Sequence, residues 1–293
     1  MTRIFNDAHQ IETHFAKAWD RVILGFVERY KDNMMARQVL AVRDVGASVE
    51  IDVVTSYERQ NEGAAIVAKG AVPVGSAVSG VPANYTIYQI LDGFMIHEKD
   101  IKVDPAAKDR DMELVMRHVH RKEDDFCFNG QTSLNINGIV NSVPTANKIT
   151  SSTNHGSWDG LDTTIDIHAD VIGALALLSG NFDPAWMLGN KTDILYLYSL
   201  DSERQPYWKT IAPLFGKSDT VDPRTWLKTS NHITAGHVYV GPVDPEAAEL
   251  VVSENPYYRV ISMQRGGNYP VEICEWVTPE IHDTDAFGEI ATG

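Results

Sequence analysis

The sequence predicts an α+β fold, and three observations predict it. Apolar and polar residues alternate with period two from Ser48, a helix-period pattern with its own start and stop signals runs from Pro105 to Phe128, and beyond His232 the chain is mostly β-type segments broken by proline and glycine. With 293 residues, 43% of them hydrophobic and 22% charged, there is enough material for one large or two modest domains with a sizeable core, which excludes disorder as the main state.

Residues 1–45 carry seven basic and six acidic groups, a balance of +1 against −16 for the remainder of a chain whose net charge is −15. Within this arm Ile11, Phe15, Trp19, Val22, Ile23 and Phe26 recur at helical spacing, so an amphipathic helix is expected from Gln10 to Lys31. Val49, Ile51 and Val53 then alternate with Glu50 and Asp52 as far as Tyr57. Arg59-Gln60-Asn61-Glu62-Gly63 reads as a polar turn, giving a β-hairpin whose return leg is Ala64 to Val72. Pro73, Gly75, Gly80 and Pro82 follow among small residues, too poor in large apolar groups for a core, so this hairpin is expected to project. A strand from Tyr85 to Leu91 re-enters the body.

The clearest helix follows. Asp104 offers an N-cap oxygen, Pro105 suits the first helical position, and Gly130 is the stop, while Met112, Val115, Met116, Val119 and Phe126 form one apolar stripe. The Asn- and Ser-rich stretch from Asn129 to Trp158 reads as a hinge between lobes. A second helix is expected from Thr163 to Ser179 with Asp162 as its cap, then a short buried strand from Ala185 to Leu188 and a helix from Asp193 to Ser202. The remaining strands are His232 to Val240, Leu250 to Val252, Tyr257 to Met263 and Val271 to Val277, with Pro242, Pro245, Pro256 and Pro279 as punctuation.

Chemistry is harder to find. The acidic balance disfavours direct nucleic-acid recognition, no apolar run is long enough to span a membrane, and the start lacks a signal-peptide pattern, so a cytosolic chain is expected. Cys127 and Cys274 are too few and too far apart for a disulfide scaffold or zinc knuckle and read as buried thiols. No GxGxxG or GxxxxGK[ST] loop occurs. His118 and His120 stand two residues apart on a helix, face different ways, and read as solvated or interface-facing imidazoles. His155, His168, Asp170 and the Asp124-Asp125 pair are the polar groups that an enzyme could use. They are scattered singly rather than converging, and Asp124-Asp125 reads as a charge run at a helix end. No catalytic residue, cofactor or metal site is expected.

The run Arg121-Lys122-Glu123-Asp124-Asp125-Phe126-Cys127-Phe128-Asn129-Gly130, followed by Ile136-Asn137-Gly138-Ile139, is similar to the E-D-x-x-[IF]-x-G and x-x-G-[IL] run that closes the long helix of encapsulin-like shells. Together with the tail from Glu275 to Gly288 and the order of elements, it makes the chain resemble the Hong Kong 97-like major capsid proteins of tailed bacteriophages and the related encapsulins. That resemblance implies an N-terminal arm over 1–45, an extended E-loop over 46–84, a peripheral domain with a long spine helix over 85–158 and 256–293, and an axial domain over 159–255. It implies a non-enzymatic major capsid protein that self-assembles, as pentamers and hexamers, into an icosahedral shell in the host cytoplasm and ends in the virion. Partners would be other copies, portal, scaffold or decoration proteins, and packaged double-stranded DNA without sequence-specific contacts. The alternatives are an encapsulin whose Ile11–Phe26 stripe helps dock a cargo enzyme, and a soluble enzyme. Inter-subunit contacts are expected on the hairpin at Val49, Ile51, Val53 and Tyr57. Lys69 is the one candidate for a cross-linking lysine in the hairpin, although a non-covalent shell is expected.

Overall fold

The structure, a computed structural model, describes residues 34–47, 51–59, 78–97, 105–150, 157–158, 166–178, 180–201, 203–260 and 268–292. The helix expected over 10–31, the Asp104 cap, the hairpin tip and the return leg over 64–72 lie outside these residues.

A short helix, α1 (Ala36–Val39), leads into β1 (Ala41–Asp44). The alternating run becomes β2 (Ile51–Arg59), paired antiparallel with β3 (Val78–Thr86) as a two-stranded ribbon. The small-residue stretch around Gly80 and Pro82 is thus a strand rather than a connector. Each strand of a two-stranded ribbon has a free edge, where proline's missing N–H costs no ladder bond. β4 (Tyr88–His97) follows across the buried Ile87, so the strand expected over 85–91 is the junction of two strands.

The long helix α2 (Pro105–Asn129) has 25 residues and starts at the predicted proline. Its stripe of Met112, Val115, Met116, Val119 and Phe126 is buried against one face of a sheet ordered β1-β9-β10-β4. In that sheet β9 (Ala248–Val260) and β10 (Asn268–Ile281) are antiparallel neighbours, and β1 joins β9 in parallel. The strands expected over 250–252 and 257–263 are therefore one strand. It passes Pro256 because the register against β10 slips between Cys274 and Trp276, a bulge that leaves residues on β9 unpaired. Pro279 sits where β10 has lost β4 as a neighbour and pairs on one side only.

The stretch expected as a hinge, 129–158, carries short elements in its described part. Residues 132–134 and 145–147 form 3-10 turns around α3 (Ile139–Ser142), and β5 (Lys148–Thr150) joins a second sheet. Within the described residues the next helix, α4 (Ile167–Leu177), starts at Asp166, whose carboxylate accepts the Ala169 N–H at 3.0 Å, so Asp166 is its cap. β6 (Trp186–Gly189) is wholly buried. α5 (Lys191–Tyr196) begins earlier than expected because Asn190 caps it through the Thr192 N–H, and it ends at Tyr196, where the chain turns. α6 (Tyr207–Ile211), β7 (Leu227–Thr229), β8 (His237–Gly241) and β11 (Gly288–Ala291) complete the described elements. β8 starts at His237 rather than His232, because 231–236 turn through Gly236 at φ +89°.

The second sheet runs β5-β11-β8-β6-β7, and a second core lies between it and α4, α5 and α6, with Trp158, Trp226, Phe215 and Ile290 buried there. Phe215 and Trp226 stack at 5.0 Å. The expected domain boundary at 255/256 falls inside β9, and β5 and β11, from the expected peripheral ranges, pair in the second sheet. No helix of the described residues is long and apolar enough to cross a membrane.

Candidate functional site

Of the five residues expected to contact neighbouring subunits, Val49 and Lys69 lie outside the described residues. Ile51, Val53 and Tyr57 lie on β2, opposite Thr86, Asn84 and Gly80 of β3.

At the other end of the resemblance, the helix-closing run has a definite geometry. Gly130 adopts φ +69°, and a Cβ there would lie 2.3 Å from the Ile136 carbonyl oxygen, while a Cβ on Gly138 would lie 2.4 Å from that of Phe128. The two glycines let the chain leaving α2 cross back over the helix end, a backbone approach that a side chain would block. The Gln131 N–H donates to the Ile136 carbonyl at 2.9 Å, and Asn129 donates to Asp125 and to the His232 carbonyl.

Of the Asp124-Asp125 pair in the same run, Asp125 is half-buried and paired with the exposed Lys122 at 2.7 Å, whereas Asp124 is turned against α1. Glu123 is fully buried and receives Arg37 of α1 in a forked pair, Nε to Oε1 at 3.0 Å and Nη2 to Oε2 at 2.7 Å. Arg37 Nη2 also lies 3.5 Å from Glu275 of β10, and its Nη1 donates to Asn255 at 3.0 Å. Asp124 accepts the Ala36 N–H at 2.8 Å. Burial pushes the Asp124 carboxyl up to about 7, and burial followed by the charge of Glu123 pushes Glu275 well above its ordinary range. His120, expected to be solvated or at an interface, is buried, which lowers its imidazole to about 4 and keeps it neutral. His118 is the exposed one, 3.0 Å from Asp92. Both cysteines are buried free thiols.

A second arginine of the same segment sits in a second carboxylate pair. Arg43 Nε donates to Glu249 at 2.5 Å and its Nη2 to Glu280 at 3.1 Å. His282 Nε2 lies 3.8 Å from each carboxylate, and the Tyr85 ring meets His282 edge-on at 6.1 Å. Glu249, Glu280 and His282 are spaced to share a metal ion, but the Arg43 guanidinium already supplies the cation between the two carboxylates.

Of the residues an enzyme could use, His168 and Asp170 stand on α4 and Asp124 on α2. His155 lies outside the described residues, and Asp170 accepts the Trp158 indole N–H at 2.9 Å inside the second core. A cleft of about 370 Å³ opens at the root of the ribbon, bounded by Tyr85, Tyr88, Asn135, Asn137, Thr278 and Ile281. Among the described residues its titratable lining is Tyr85 and Tyr88, with no carboxylate, imidazole or thiol.

No family model and no curated protein matches the chain in sequence. Solved structures do match in fold. The virus-like particle of Pyrococcus furiosus aligns with TM-score 0.64 at 12% identity, covering 93% of this chain and 99% of the other. The holo-SrpI encapsulin complex of Synechococcus elongatus PCC 7942 aligns with TM-score 0.58 at 12% identity over 88% and 87%. The Microbacterium phage Oxtober96 structure aligns with TM-score 0.60 at 17% identity over 86% and 89%. The chain therefore has the Hong Kong 97-like fold of the capsid and encapsulin class.

Proposed function

We propose that the chain is a self-assembling shell protein, and specifically the major capsid protein of a tailed-phage head, enclosing double-stranded DNA. The observation that carries this reading is likeness in fold, over most of both chains, to a virus-like particle, an encapsulin and a phage structure. In this reading α2 is the spine helix, the ribbon β2–β3 is the E-loop that lies over a neighbouring subunit through Ile51, Val53 and Tyr57, and Val49 and Lys69 extend that contact. The α2-backed sheet is the core of the peripheral part and the second sheet that of the axial part. The role is containment, without a catalytic step, in a virion assembled in the host cytoplasm with copies of the same chain and with portal, scaffold or decoration proteins as partners. A second reading, an encapsulin compartment around a cargo enzyme, is favoured by the match to the Synechococcus shell.

Negative-stain electron microscopy of the expressed protein, with sedimentation velocity, tests the proposal. Closed round particles are expected. Nucleic acid inside supports the phage reading and a co-purifying protein the encapsulin reading, while a monodisperse small species that persists at high concentration and with candidate scaffold proteins overturns both.

A further inference from the structure

The segment 34–45 is held to the body by two arginines, each placed between two glutamates, and the first of these sockets is out of charge balance. Around Arg37 stand three carboxyl groups, Glu123 and Asp124 from α2 and Glu275 from β10, so full ionisation leaves two negative charges uncompensated. Glu123 and Glu275 are fully buried, and Glu275 Oε1 has no hydrogen-bond partner among the described residues. Two adjacent buried carboxylates cannot both ionise cheaply, so the closed socket holds an extra proton.

The remaining groups that face the cluster are His120 and Cys127 of α2, Asn255 of β9 and, across α1, Lys228 of β7, whose Nζ donates to Gln38 at 2.7 Å. One wall is a short element: α1 has four residues, its Ala36 N–H is held by Asp124, and its Arg37 reaches the exposed Asn255. Water admitted by lifting α1 relieves the buried carboxylates at less cost than separating α2 from the sheet.

We propose that α1 and β1 form a proton-gated strap: protonated carboxyl groups around Arg37 keep it closed, and their ionisation above neutral pH releases it. The sign follows from linkage. Asp124, raised from 3.8 to about 7, favours the closed strap fully below 3.8 and loses that contribution as pH rises through about 7, and Glu275 extends the loss upward. His120 acts in the opposite sense, contributing above 6.5 and losing its contribution as pH falls through about 4. Between these limits the two offset each other, so release is confined to pH above about 6.5.

Amide hydrogen exchange of the full-length protein, corrected for the intrinsic pH dependence of exchange, tests this. Protection of residues 36–44 is expected to hold between pH 5 and 6.5, to fall about threefold as pH passes from 6.5 to 7, one proton giving about a factor of ten per pH unit, and to fall further towards pH 9 as Glu275 ionises. Protection of residues 112–119 in α2 should stay constant. The double variant Asp124→Asn, Glu275→Gln keeps the hydrogen-bonding shapes without the titration, and its 36–44 protection should not vary with pH. A wild-type profile flat to pH 9, or a double variant that retains the wild-type fall, overturns the proposal. Should the double variant not fold, the wild-type profile and Glu275→Gln alone decide in the same way. The readout concerns one chain's strap, so it is independent of whether shells form.

Discussion

At the scale of single residues, the strongest constraints are polar. Arg37 is bound in a forked pair to a fully buried glutamate, and removing one member of such a pair leaves the other charge stranded in a dry site. Arg37→Ala is expected to lower stability by about 3 kcal/mol, read by urea denaturation. Gly138 presents the steric counterpart. Its Cβ position is occupied by the Phe128 carbonyl, which is backbone and cannot rotate away. Gly138→Ala should cost about 3 kcal/mol in the same measurement, whereas Gly180→Ala, with open space around its Cβ position, should be far milder. The sequence presented Glu123, Asp124, Gly130 and Gly138 as a recognisable run. What it hid was the partner set, because Arg37, Asn255 and Glu275 are distant in sequence and meet only through the sheet.

At the scale of elements, legibility followed locality. α2 could be read because its proline start, its apolar stripe and its glycine stop are all encoded within its own length. β9 and β3 could not, since each carries a proline that reads as a breaker until the bulge or the free edge that accommodates it is known. Caps were intermediate: for the described helix α4 the acceptor is Asp166, and the sequence offers Asp162 as an equally good acid. Asp166→Ala is expected to destabilise by about 1 kcal/mol in thermal melts, the ordinary value of an N-cap. A cap at Asp162 instead would leave the melt unchanged.

At the scale of the whole molecule, the proposed shell role assigns folding to the two larger sheets and assembly to the ribbon. Among the described residues β2 and β3 pair with each other and with neither larger sheet, so charges placed on β2 are expected to leave both cores intact. The double substitution Ile51→Asp, Val53→Asp should therefore retain the wild-type melting behaviour while reducing particle yield in sedimentation at least tenfold. Unchanged particles would remove these residues from the contact set. The placement of β11 carries a further implication. This strand, at 288–291, lies inside the second sheet, flanked by β5 from near residue 149 and by β8 from near residue 239. The second sheet therefore cannot close until residues 288–291 have been synthesised, and its core forms through slow pairings between remote segments. A translation product truncated before residue 288 is thus left with β5 and β8 unbridged, and is expected to be cleared by proteolysis rather than to accumulate.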